Sequence, residues 1–154
     1  MHISPATEAD TDELSTLLGE IEHYYGGDPT PGDPDQIRRA LFSPHPAATV
    51  LLARDDHQIL GLASYSFLWP AAGADTSLYL KELYVRETAR RSGVARALMT
   101  ALRKTATEAG CSRIEWTADT DNPAALAFYE ALDAEQRNSK VFYHVTSGRT
   151  QVQG

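Results

Sequence analysis

Between Leu80 and Glu108 the chain changes its hydrophobic period once, and that change constrains the fold more than any other feature. Leu80-Lys81-Glu82-Leu83-Tyr84-Val85 is rich in strand-favouring residues. From Val94 the apolar positions Val94, Leu98, Leu102 and Ala106 recur every four residues, with Ala95 and Met99 beside them. This spacing predicts one buried helix face, and Gly110 is its expected stop. The two elements are joined by Arg90-Arg91-Ser92-Gly93-Val94-Ala95. A glycine turn at a helix start presents N–H groups that lack partners, at the positive end of the helix dipole, and so suits an anion. Each such effect contributes roughly 0.3–1 kcal/mol when exposed, so several amides must act with Arg90 and Arg91 to hold a phosphate. On pattern alone the turn reads equally well as a plain strand-to-helix connection with two solvated arginines. It is not a dinucleotide fingerprint, which needs three glycines, nor a P-loop, since no Gly-Lys-Ser/Thr follows.

Taken in order, His2-Ile3-Ser4 suits a short edge strand ended by Pro5. Thr7 and Asp10 form a capping-box pattern before a helix with Leu14, Leu17, Leu18 and Ile21 at helical spacing, ending near Tyr24-Tyr25-Gly26-Gly27. A Pro- and Gly-rich loop leads to Asp33-Pro34, which opens a short helix carrying Ile37, Ala40 and Leu41. Thr49–Ala53 and Ile59–Leu68 read as strands joined by a hairpin connection. Further on, Ser112–Ala118 is an expected strand, Asn122-Pro123 opens a helix through Leu132, and Lys140–Val145 is an expected last strand. The order β-α-α, then antiparallel hairpins, then β-α-β-α-β predicts a mixed sheet with helices on both faces.

The length of 154 residues suits one domain, expected over residues 1–146 with a polar tail at 147–154. A composition of 42% hydrophobic and 23% charged residues is that of a folded domain rather than a disordered chain. The formal net charge of −7 disfavours non-specific binding to nucleic acid or to an anionic membrane, and favours cationic partners. A single cysteine, Cys111, leaves no internal disulfide, and the histidines lack metal-ligand spacing, so no metal site is expected. With no leader pattern and no membrane-length apolar run, the expected location is the cytoplasm.

The strand Leu83-Tyr84-Val85, then Arg90 to Ala95, then Trp116-Thr117 and Asn122, then Ala127-Phe128-Tyr129-Glu130-Ala131-Leu132, together resemble the GNAT superfamily of acetyl-CoA-dependent N-acetyltransferases. Within it, Glu20-Ile21-Glu22-His23-Tyr24 and Tyr79 to Val85 look like the diamine (spermidine/spermine and thialysine) branch. The resemblance implies an α/β (α+β) fold with a mixed, mostly antiparallel sheet of six or seven strands and a splayed central strand pair. It implies acetyl-CoA as the acetyl donor. Backbone groups of Leu83, Tyr84 and Val85 would meet the pantetheine arm, and Arg90, Arg91, Ser92, Gly93, Val94 and Ala95 would wrap the diphosphate. Asn122, with Ala125 and Phe128 near it, would hold the pantetheine from another side, and Tyr129 matches the family's tyrosine that faces the thioester sulfur. Family members often pair, so a homodimer is implied. Two positions depart from the pattern: Lys81 stands where the diamine branch usually has an acid, and Asp133 replaces a helix-ending glycine. By strict alternation Lys81 and Glu82 face opposite sides of the strand.

The implied reaction requires a neutral amine. An alkylammonium of pKa ~10.4 must lose a proton at pH 7, at a cost of roughly 4–5 kcal/mol. A base must accept that proton. Glu82 is the candidate because it sits in the cofactor strand, with Tyr129 as the second catalytic candidate at the departing sulfur. Glu20, Tyr24 and Tyr25 are candidates to line the acceptor site, and a small cationic amine (a diamine, polyamine or amino-acid-like amine) is the expected acceptor. The alternatives are acetylation of a protein lysine or N-terminus, and a non-catalytic acyl-CoA sensor.

Overall fold

Local capping, by side chains at some helix starts and by backbone turns elsewhere, sets where the helices begin and end. The computed structural model describes residues 1–56 and 58–148; His57 and the part of the expected tail from 149 onward lie outside the described residues. The Thr7 N–H donates to the Asp10 carboxylate at 2.8 Å, closing a box ahead of α1 (Thr11–Tyr24). Asp33 accepts from the Asp35 N–H, and Pro34 is the first residue of α2 (Pro34–Leu41). α3 (Val94–Glu108) starts at Gly93, whose φ of 84° is left-handed. It ends in a Schellman motif in which the Gly110 and Cys111 amides reach the Thr107 and Ala106 carbonyls. The stop expected at Gly110 is therefore formed, with φ 75° there.

Five strands make one sheet in sequential order: β1 (His2–Pro5), β2 (Thr49–Asp55), β3 (Gln58–Leu68), β4 (Ser77–Val85) and β5 (Arg113–Glu115). All neighbours are antiparallel except β4 and β5, which are parallel. Leu52, Leu62 and Tyr84 lie directly opposite one another across β2, β3 and β4 and so share a face. They pack in one cluster with Leu14, Leu17 and Ile21 of α1 and Ile37 of α2. The alternate residues Leu51 and Ala63 are also buried. α3 packs on β2, β3 and β4 with Val94, Leu98, Met99, Leu102 and Ala106 inward, so the sheet carries helices on both faces as expected.

Two expectations are corrected. The fifth strand spans only Arg113–Glu115, shorter than Ser112–Ala118. The strand expected over Lys140–Val145 is not formed, which leaves five strands among the described residues where six or seven were expected. In that segment Val141, Phe142, Tyr143 and Val145 are exposed. Strand propensity expresses how well a residue fits a paired, half-buried surface, and without a ladder partner it does not by itself make a strand. The described residues fall into two compact units, Met1–Thr117 with the sheet and α1 to α3, and a second beginning at Ala118 with α4 (Pro123–Ala131).

One ion pair fastens the start of α1 to the sheet. Arg54 Nη2 of β2 lies 2.7 Å from Asp10 Oδ2, and Asp10 is buried. Burial pushes the Asp10 carboxyl up, but the Thr7 amide, the Arg54 guanidinium and the Thr7 hydroxyl outweigh it and hold the carboxyl below its ordinary value. A lowered folded-state pKa contributes stability that is complete above the unfolded value of ~3.9 and disappears as pH falls through the folded value. Asp10→Asn is therefore expected to cost about 1–3 kcal/mol at pH 7 and less at pH 3, below the unfolded value. Thermal unfolding of both proteins at the two pH values checks this, and an equal deficit at both would remove the ion pair as its cause.

Candidate active site

β4 and β5 run side by side only briefly. Their pairing covers Ser77 to Tyr79 against Arg113 to Glu115, and β4 then continues to Val85 with no further partner on that edge among the described residues. The edge so exposed has polar backbone groups to offer. The Arg86 N–H bonds the Leu60 carbonyl, so by alternation Tyr84 turns its backbone groups toward β3. Leu83 and Val85 turn theirs toward the open edge, where the Val85 carbonyl accepts from Arg90 Nε at 3.0 Å. Gly61 permits the close approach of β3 to this stretch, since a Cβ there would lie 2.6 Å from the Tyr84 carbonyl oxygen.

A bulge decides which side chains share a face. Glu82 pairs with Ser64 and Leu80 with Tyr65, so β4 carries one extra residue, Lys81. Cross-strand partners share a face, which puts Glu82 with Tyr84 on the α1 side and Leu80 with Tyr65 on the α3 side. Lys81 is exposed. Strict alternation, the premise of the sequence reading of Lys81 and Glu82, does not hold through this bulge.

The end of α1 meets this face of β4. The Tyr25 hydroxyl donates to Glu82 Oε2 at 3.1 Å. Tyr24 packs edge-on to Tyr25 and to Tyr84, with centroids 5.0 and 5.9 Å apart. The Arg90 guanidinium lies 5.0 Å from the Tyr24 centroid and 5.9 Å from that of Tyr84. Burial and the Glu20 carboxylate push the Tyr84 phenol up, against the opposing pull of Arg90 and Arg86, so it remains neutral at physiological pH. Glu20 is gripped by Arg86: Nε lies 3.1 Å from Oε1 and Nη2 2.9 Å from Oε2. Thus Glu20, Tyr24, Tyr25, Glu82, Tyr84, Val85 and Arg90 are brought together. Arg86 was not singled out from the sequence; its one signal was a cation directly after the last residue of the strand.

Beyond Arg90 the connection turns through two left-handed residues, Arg91 at φ 64° and Gly93 at φ 84°. The Ser92 hydroxyl donates to the Ala89 carbonyl. Val94 and Ala95 are in the first turn of α3, whose N–H groups have no partners within the helix. Apart from its chain neighbours, nothing lies within 4 Å of where a Gly93 Cβ would stand, so the glycine serves the positive φ rather than a tight fit. An open backbone edge followed by a helix start with two arginines suits a molecule with an amide-bearing arm and a diphosphate.

In the second unit, Asn122 caps α4 and accepts from the Ala125 N–H at 3.2 Å, with Pro123 as the first helical residue. Phe128 and Tyr129 have ring centroids 5.5 Å apart. Asp133 adopts φ 61°, and the Asp133 and Ala134 amides close on Glu130 and Tyr129 carbonyls. This is a Schellman end built on aspartate in place of glycine.

The acetyltransferase (GNAT) family model matches residues 14–133, most of the chain. The chain belongs to the acetyltransferase (GNAT) family. Among curated relatives it is similar to an L-ornithine N5-acetyltransferase of Arabidopsis thaliana, 31% identical over 81 residues, 53% of this chain and 36% of the relative. It is also similar to a thialysine N-ε-acetyltransferase of Caenorhabditis elegans, 38% identical over 56 residues, 36% of this chain and 35% of the relative. These matches span about a third of each relative's length. Among solved structures, an integron cassette protein from the mobile metagenome of V. cholerae superposes with a TM-score of 0.83 at 29% identity, covering 99% of this chain and 95% of that one. An aminoglycoside acetyltransferase from an uncultured soil metagenomic sample shares the fold, with a TM-score of 0.79 at 21% identity over 94% of this chain and 96% of that one.

Proposed function

We propose that this chain transfers an acetyl group from acetyl-CoA to a primary amine of a small cationic acceptor, by direct attack without an acyl-enzyme. The observation that carries the reading is the Tyr25–Glu82 hydrogen bond beside the open edge of β4: a held carboxylate adjoins a strand whose Leu83 and Val85 backbone groups point outward. Leu83 and Val85 would hold the pantetheine arm and the turn from Arg90 to Ala95 the diphosphate, with Asn122, Ala125 and Phe128 as further cofactor-binding candidates. When bound, acetyl-CoA supplies an acyl carbon activated as a thioester. Glu82 accepts the proton that the ammonium must lose, directly or through water. A carboxylate there also favours a cationic acceptor, in keeping with ornithine and thialysine, the substrates named for the two relatives. Tyr129 hydrogen-bonds the departing sulfur as nitrogen bonds to the acyl carbon and the carbon–sulfur bond breaks.

The test is thiol release from acetyl-CoA in the presence of a panel of amines. Diamines and basic amino-acid-like amines are expected to accelerate release well above acetyl-CoA alone, with neutral and acidic amines inactive. Release that no amine accelerates would overturn the reading, and acetyl groups found only on peptides by mass spectrometry would replace the small acceptor with a protein.

A further inference from the structure

We propose that Arg86 is a positioning residue for the acceptor side of the site, acting on Glu82 through the last turn of α1. The inference rests on the reading of Glu82 as the proton acceptor and adds what holds that carboxylate in place. Arg86 leaves the end of β4 with all three guanidinium nitrogens engaged. Nε and Nη2 fork onto the two oxygens of Glu20 at 3.1 and 2.9 Å, and Nη1 donates to the Ile59 carbonyl of β3 at 3.0 Å. Its own N–H bonds the Leu60 carbonyl. One side chain thereby ties β3, β4 and α1 at a single point, partly buried on both sides, with 23% and 35% of the two side chains exposed.

Glu20 lies one helical turn before Tyr24 and Tyr25. The chain leaves the helix directly after, at the C-cap Tyr25 and then Gly26 with φ 95°, where the Gly26 and Gly27 amides close on the His23 and Glu22 carbonyls. Tyr25 and Glu82 are themselves exposed at their contact, so their hydrogen bond alone does not fix the helix end. Beside the packing of Tyr24 on Tyr84 and Arg90, the bidentate grip on Glu20 adds a directional tie, because the planar fork allows one orientation where a lysine would allow many. On this account Glu20 spends its charge on Arg86, and Glu82 remains the carboxylate that meets the acceptor amine.

The experiment is a double-mutant cycle of Arg86→Lys and Tyr25→Phe on the full chain, with Glu20→Gln as a milder second disruption of the same grip. Each single variant is expected to lower kcat/KM for the amine about tenfold, the size of one lost hydrogen bond to a charged group, with KM for acetyl-CoA unchanged. Because both act through Glu82, the double variant should lose little more than either single one. Hydrogen exchange at the Tyr25, Gly26 and Gly27 amides, bonded to the Ile21, His23 and Glu22 carbonyls, should quicken in Arg86→Lys and Glu20→Gln and not in Tyr25→Phe. Multiplying losses in the double variant, equal losses for both substrates, or unchanged exchange at those amides would each overturn the proposal. Exchange reads the helix end without any turnover. If Glu82→Gln keeps full activity, the base assignment falls, while the exchange result still judges the role of Arg86 in fixing α1.

Discussion

Tyr129→Phe is expected to lower turnover by about 10²–10³-fold while leaving the affinity for acetyl-CoA almost unchanged. The size follows from what the hydroxyl is asked to do. A thiol like that of cysteine has a pKa of ~8.5 and a phenol ~10, so the phenol is the weaker acid by roughly 2 kcal/mol. Tyr129 therefore acts by donating a hydrogen bond to sulfur as charge develops there, an interaction stronger in the transition state than before it. Phenylalanine keeps the ring that packs beside Phe128. The Leu132 and Ala134 amides close the helix end on the Tyr129 carbonyl, which phenylalanine keeps. Steady-state thiol release, with calorimetry of acetyl-CoA binding alongside, separates the two effects. Unchanged turnover would remove Tyr129 from the mechanism, and lost binding would reassign it to holding the donor.

What the chain discloses without its structure divides by range. Thr7 with Asp10, Asp33-Pro34, Asn122-Pro123 and Gly110 act on backbone groups within a few residues, and each begins or ends a helix where the sequence places it. The periodic leucines of α1 and α3 declare their inward faces for the same reason, although Leu18 proves exposed. The contacts that assemble the candidate site are long-range. Tyr25 and Glu82 stand 57 residues apart and Arg86 and Glu20 stand 66 apart. Tyr25 and Glu82 each have side chains suited to the chemistry, but nothing local announces that they touch. Lys81 shows a second limit: alternation gives a face only while pairing is regular, and one inserted residue resets it. In Lys140–Val145 the residue types suit a strand, yet pairing depends on an edge that no property of the segment supplies.

Glu82→Gln carries the second large expected effect, a fall in kcat/KM for the amine of about 10²-fold or more at pH 7, the range of a positioned general base. Glutamine keeps an oxygen that can accept from the Tyr25 hydroxyl, so that contact between α1 and β4 is kept while the charge and the basicity of the carboxylate are removed together. The pH dependence makes the test specific. An acceptor amine with pKa ~10.4 is about 99.96% protonated at pH 7, and the neutral fraction rises tenfold with each pH unit. A variant without its base must draw on that fraction. Its rate should therefore climb steeply with pH and the deficit should shrink as pH approaches that of the free amine, whereas a misfolded or mispositioned variant would stay uniformly slow. Equal rates and parallel profiles for the two proteins would mean that the proton leaves by another route and that the Glu82 charge does not attract the cation either.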